Sequence, residues 1–132
     1  MLTLLTLLMG CDNPNEKLSC NLMYAPSSLT LELTADWAGA IQVDVSGDDM
    51  QISCTLGEDE STAECDGTTG WIELSGDLLV VELWEFTPDV VELTVVHDGG
   101  SEDRSIEPEY AIDEPNGAGC GERRLATESV SL

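Results

Sequence analysis

The chain has 132 residues, with 27 Asp and Glu against 4 Lys and Arg, for a formal net charge of −23. So strong a negative field repels phosphate backbones and excludes nucleic acid as a partner. The length suits one domain, and with 42% hydrophobic residues but few aromatics its core must be mostly Val, Leu and Ile.

Residues Met1 to Met9 read MLTLLTLLM. This uncharged apolar run is too short to span a bilayer, which takes about 20 residues, but it has the length of a signal-peptide h-region. It closes on Leu8-Met9-Gly10-Cys11, after which Asp12-Asn13-Pro14-Asn15 breaks any helix. An apolar residue, a small residue and a cysteine in this order resemble the lipobox of bacterial lipoproteins. The resemblance implies a signal peptide over 1–10, a diacylglyceryl group on the Cys11 thiol, and a lipidated N-terminus and tether over 11–27. It also implies a place in the bacterial cell envelope, anchored to a membrane through Cys11. Several acyl chains on one residue anchor stably where a single chain is marginal. No basic residue precedes Lys17, whereas secretory signals carry one, and the competing reading is a frayed apolar N-terminus with Cys11 buried.

From Ser28 onward the apolar period is two. Leu29, Leu31 and Leu33 alternate with Thr30, Glu32 and Thr34; Ile41, Val43 and Val45 alternate with Gln42, Asp44 and Ser46. The same alternation recurs at Ile52, Cys54 and Leu56, at Ile72 and Leu74, at Leu79, Val81 and Leu83, and at Val91, Leu93 and Val95. One row in and one row out is the pattern of a half-buried antiparallel strand. Ile106 to Ile112, which contains Pro108, suits an edge or end strand, and Leu125 to Leu132 a last one. Between the runs lie Ala38-Gly39, Gly47-Asp48-Asp49, Asp66-Gly67, Gly76-Asp77, Thr87-Pro88-Asp89, Asp98-Gly99-Gly100 and Pro115-Asn116-Gly117. Each places Gly, Pro, Asn or Asp where the backbone must reverse. About seven to nine short strands at this spacing predict an all-β, immunoglobulin-like sandwich over 28–132.

With Cys11 lipidated, Cys20, Cys54, Cys65 and Cys120 remain, an even number that an exported protein pairs as disulfides. Cys54 and Cys65 flank the polar turn Gly57-Glu58-Asp59-Glu60-Ser61. A hairpin closed around Asp59 and Glu60 sets the two cysteines directly opposite, close enough to bridge. That leaves Cys20 with Cys120. Two zinc-binding pairs are the alternative, though zinc sites use tighter spacing than 54 to 65.

The order of features also resembles a group of small, largely uncharacterised lipoproteins from myxobacteria and their relatives. The matching pieces are the lipobox, Ile41-Gln42-Val43-Asp44-Val45-Ser46-Gly47, the Cys54/Cys65 pair and Leu74-Ser75-Gly76. After them come Val91-Glu92-Leu93-Thr94-Val95, Asp98-Gly99, Pro108-Glu109-Tyr110 and Pro115-Asn116-Gly117-Ala118-Gly119-Cys120. Members carry a second cysteine four residues after the one matching Cys120. Arg124 stands there in this chain, which favours Cys20 as the partner of Cys120. The resemblance implies an exported, lipid-anchored sandwich and no activity.

Few residues point to chemistry. His97 is the only histidine, and its neighbour Asp98 faces the opposite way on a strand, so it reads as a hairpin shoulder. There is no Gly-x-Ser-x-Gly elbow, and paired cysteines leave no thiol nucleophile. Asp48-Asp49, Glu58-Asp59-Glu60, Asp66, Glu107 and Glu109 lie in or beside turns, solvated rather than set across a cleft as a glycosidase needs. Such turns suit weak calcium binding better, but no EF-hand or nonapeptide loop is present. Trp37, Trp71 and Trp84 could form a contact surface; by parity Trp71 and Trp84 face away from Ile72 and Leu83. The expectation is a structural or interaction module without catalytic residues, metal or cofactor, partnered by the membrane through Cys11 and by an envelope protein or glycan. The alternative is a weak calcium- or glycan-binding module using acidic turns and exposed Trp.

Overall fold

The computed structural model describes residues 25–66 and 69–132 and has ten strands and no helix among them, where the sequence predicted about seven to nine. They are β1 (Ser28–Thr34), β2 (Ile41–Gly47), β3 (Met50–Leu56), β4 (Thr62–Glu64) and β5 (Gly70–Ser75). The rest are β6 (Leu78–Trp84), β7 (Val91–His97), β8 (Gly100–Ile106), β9 (Ala111–Asp113) and β10 (Arg123–Ser131). One sheet has the order β4-β5-β6-β1-β10-β9 and the other β3-β2-β7-β8. Among the described residues one compact unit comprises Pro26–Ala111 and Arg124–Leu132, and Ile112–Arg123 belongs to another.

The connections explain the two sheets. Tight turns join β2 to β3, β5 to β6 and β7 to β8 as antiparallel hairpins. β1 pairs with β6 in one sheet and β2 with β7 in the other. The chain therefore crosses between sheets after β1 and again after β6, which sets the two sheets as the layers of a β-sandwich. The crossing after β6 opens with Glu85 in the left-handed region at φ 57° and carries Phe86, which is 1% exposed. A further crossing links β3 to β4, where Cys54 and Cys65 form an isolated antiparallel bridge and a disulfide with Cα atoms 4.2 Å apart. That bond ties the edge of one sheet to the edge of the other.

The core follows the parity of the sequence. Leu29, Leu31 and Leu33 of β1 pack in one interior with Val43 and Val45 of β2, Ile52 and Leu56 of β3, and Val81 and Leu83 of β6. Val91, Leu93 and Val95 of β7 complete it. Among the described residues no polar or charged residue is buried, so the interior holds no charge that would need a partner.

Three features differ from the sequence expectation. Residues 106 to 112 do not form a strand: β8 ends at Ile106 and β9 begins at Ala111. Pro108 offers no N–H to a ladder, and the Glu109 N–H donates to the Glu128 carboxylate at 3.0 Å instead. β8 itself gives no apolar alternation, because its inward row is Glu102, Arg104 and Ile106, set opposite Val95, Leu93 and Val91. Inward charges on an edge strand guard it against pairing with a second sheet, and here Arg104 and Glu102 form an ion pair at 2.8 Å. The last strand, β10, runs parallel to β1, with Leu29 beside Ala126 and Leu33 beside Val130, where an antiparallel strand was expected.

Candidate functional site

Of the residues that sequence reasoning singled out, Cys11 and Cys20 lie outside the described residues. Cys54 and Cys65 form the expected bridge, 0% and 2% exposed. Cys120 is disulfide-bonded; its expected pairing with Cys20 falls outside the described residues.

His97 ends β7 at the shoulder of the β7–β8 hairpin. Its Nδ1 accepts the Gly99 N–H at 3.1 Å, which orients the ring within its own turn. The imidazole lies against Trp37, ring centroids 4.9 Å apart and tilted by 59°. Trp37 is fixed in turn by donating its Nε1–H to the Asp77 carbonyl at 2.9 Å. Asp98 points elsewhere: its carboxylate occupies the space over Gly39, which has no side chain and takes φ +73°. His97 lines a cleft of about 220 Å³ together with Gln42, Thr55, Val96 and Asp98, and another of about 260 Å³ with Asp36, Gly99, Gly100 and Glu102.

Carboxylates of the acidic turns accept backbone N–H groups from the turn or from a neighbouring strand. Glu60 accepts the Gly57 N–H at 2.7 Å, and Asp66 accepts the Ser53 N–H at 2.9 Å. Asp48 and Asp49 form the β2–β3 turn at φ 50° and 63°. Among the described residues no group of three or more His, Cys, Asp or Glu side chains is placed to hold a metal ion.

Sequence parity did not reveal how the outward carboxylates are partnered. On the four-stranded sheet Ser53 donates to Asp44, Thr94 to Asp103 at 2.8 Å and Ser105 to Glu92 at 3.0 Å. On the six-stranded sheet Ser129 donates to Glu32 at 3.0 Å. Each pair joins residues opposite one another on adjacent strands. A hydroxyl opposite a carboxylate supplies a cross-strand hydrogen bond without a counter-charge. The signal in the sequence is a Ser or Thr in the outward row of one strand and an acid in that of the next, readable only once the register is known.

Trp71 and Trp84 face outward from β5 and β6, half-buried, as parity predicts. Trp71 stands between two acids in a row across the sheet, opposite Glu64 on β4 and Glu82 on β6. Trp84 lies two residues from Glu82 on the same face and donates its Nε1–H to the Glu82 carboxylate at 3.0 Å. Glu73 shares that face, two residues from Trp71. The described basic side chains are engaged elsewhere: Arg104 with Glu102, Arg123 with Asp113 at 2.9 Å, and Arg124 over the Tyr110 ring at 5.6 Å. Tyr110 donates to the Pro88 carbonyl at 2.8 Å, and burial, opposed by Arg124 and reinforced by Asp89, Asp48 and Glu128, pushes its phenol up to about 12.

No family model, curated protein or solved structure matches this chain.

Proposed function

We propose that this chain is an exported module of the bacterial cell envelope, anchored to a membrane by lipid on Cys11, with an interaction or structural role and no catalysis of its own. The observation that supports an interaction role is the ordering of its outward carboxylates. Asp44, Glu92 and Asp103 on one sheet and Glu32 on the other are held by hydroxyl donors from the neighbouring strand. Such a surface presents fixed charge with little conformational entropy left to lose on contact, which favours recognition.

Detergent phase partitioning of membranes from cells expressing the full chain tests the anchor. The wild type goes to the detergent phase and Cys11→Ser to the aqueous phase; a wild type found in the aqueous phase overturns the anchor. Two results would overturn the role: a hydrolytic turnover of the purified chain that His97→Ala abolishes, or a melting temperature raised by calcium beyond the rise that the same concentration of magnesium gives by screening, as a ligand bound only by the native state requires.

A further inference from the structure

We propose that the outer face of β4, β5 and β6 docks a basic segment of a protein partner, one Lys or Arg side chain lying over Trp71 with its charge between Glu64 and Glu82. The inference names the partner class for the interaction module and rests on that reading. An indole face carries negative potential and attracts ammonium and guanidinium groups better than any other aromatic side chain. Directly opposite residues on antiparallel strands have Cβ atoms about 5 Å apart, so Glu64 and Glu82 flank Trp71 on the two neighbouring strands. The Trp84 Nε1–H on Glu82 fixes one of those carboxylates. Glu73 extends the negative patch along β5.

The chain supplies no cation of its own to this place among the described residues, since Arg104, Arg123 and Arg124 are all committed elsewhere. A half-exposed indole ringed by carboxylates is complementary to a cationic partner and repels an anionic one. The net charge of −23 adds long-range attraction for the same class of ligand. A basic segment that runs along the strands would set alternate side chains over Trp71 and Glu73, which lie on one face of β5.

The test titrates the full chain, solubilised in neutral detergent at about 0.1 M salt, with an oligo-arginine peptide while following the indole N–H resonances of the three tryptophans. The expected result is a saturable shift of Trp71 and Trp84 with Trp37 unmoved. Trp71→Thr weakens binding about fivefold, the loss of roughly 1 kcal/mol of cation–π attraction, and Glu64→Gln with Glu82→Gln weakens it about tenfold. Asp44→Asn with Asp103→Asn removes the same charge from the other sheet and changes binding less than twofold. Equal weakening by both charge pairs means diffuse attraction and overturns the assigned face, leaving the module reading intact. Absence of any Trp71 shift overturns the proposal, as does a Trp71 shift produced by neutral oligosaccharides and not by the peptide. The module reading fails separately, by the partitioning, turnover and calcium measurements above.

Discussion

At the tip of the β2–β3 hairpin, Asp48 and Asp49 both occupy the left-handed region. A two-residue turn with positive φ at both positions matches the strand twist but favours Asn-Gly, because a Cβ is strained there. Asp48→Asn with Asp49→Gly should therefore stabilise the fold by about 1 kcal/mol, read as a higher urea midpoint at unchanged m-value. Asp48→Asn alone separates the charge effect from the backbone effect. Glu85, at φ 57°, is a different case. Its carboxylate accepts the Ser27 N–H at 2.9 Å, so Glu85→Gly loses that bond while relieving strain and should gain little by the same measurement. Tyr110 sets the alkaline limit. Its folded value of about 12 lies above the ordinary 10.0, so folding favours the protonated phenol. That contribution is fully present below pH 10 and is lost as pH rises through about 12. Denaturation midpoints across that window should fall for the wild type and lose this component in Tyr110→Phe, which also gives up the bond to the Pro88 carbonyl.

The elements show what the sequence made legible. Strands with an apolar row on one side, β1, β2, β3, β6 and β7, could be placed from period two alone, because burial of one face selects that row. The Cys54–Cys65 bridge was legible from the polar turn between the cysteines, but the hairpin expected around Asp59 and Glu60 is reduced to that one bridge, because β3 and β4 belong to different sheets. β8 was not legible: its inward side chains are Glu102 and Arg104, and its place comes from a tight hairpin onto β7 rather than from its own pattern. Phe86 escaped for a related reason. It sits in a connection, yet it is buried because the chain passes over the end of the core as it changes sheets. The Glu64–Trp71–Glu82 row was out of reach because it joins three strands, and its members meet only through the register. The bridge carries its own prediction. Closing so short a loop is worth about 3 kcal/mol on the chain-entropy estimate, so Cys54→Ala with Cys65→Ala should lower stability by at least that amount in urea denaturation. Burial of both sulfurs means that reductant should act only after unfolding, so native protein should resist a concentration of reductant that cleaves the bond in urea.

Over the whole molecule the question is how a chain of net charge −23 remains folded. Among the described residues, burial of uncharged side chains alone in the interior keeps the carboxylates where water can solvate them. Hydroxyl donors from neighbouring strands then satisfy part of the outward row without neutralising it. Hydrogen bonds of this kind fix positions but leave the field in place, so mutual repulsion still opposes the compact state. Raising sodium chloride from about 0.1 M to 1 M shortens the screening length from about 10 Å to about 3 Å. That is less than the separation of carboxylates on alternate strands, so repulsion across each sheet should largely vanish. The melting temperature should rise by roughly 4–8 °C for each kcal/mol of repulsion removed. A variant with Asp44→Asn, Glu92→Gln and Asp103→Asn keeps an acceptor for each hydroxyl while losing the charge, and should show a shallower salt dependence. Equal slopes in variant and wild type, measured by thermal denaturation, would mean that salt acts on the apolar interior and that the surface charge costs this fold little.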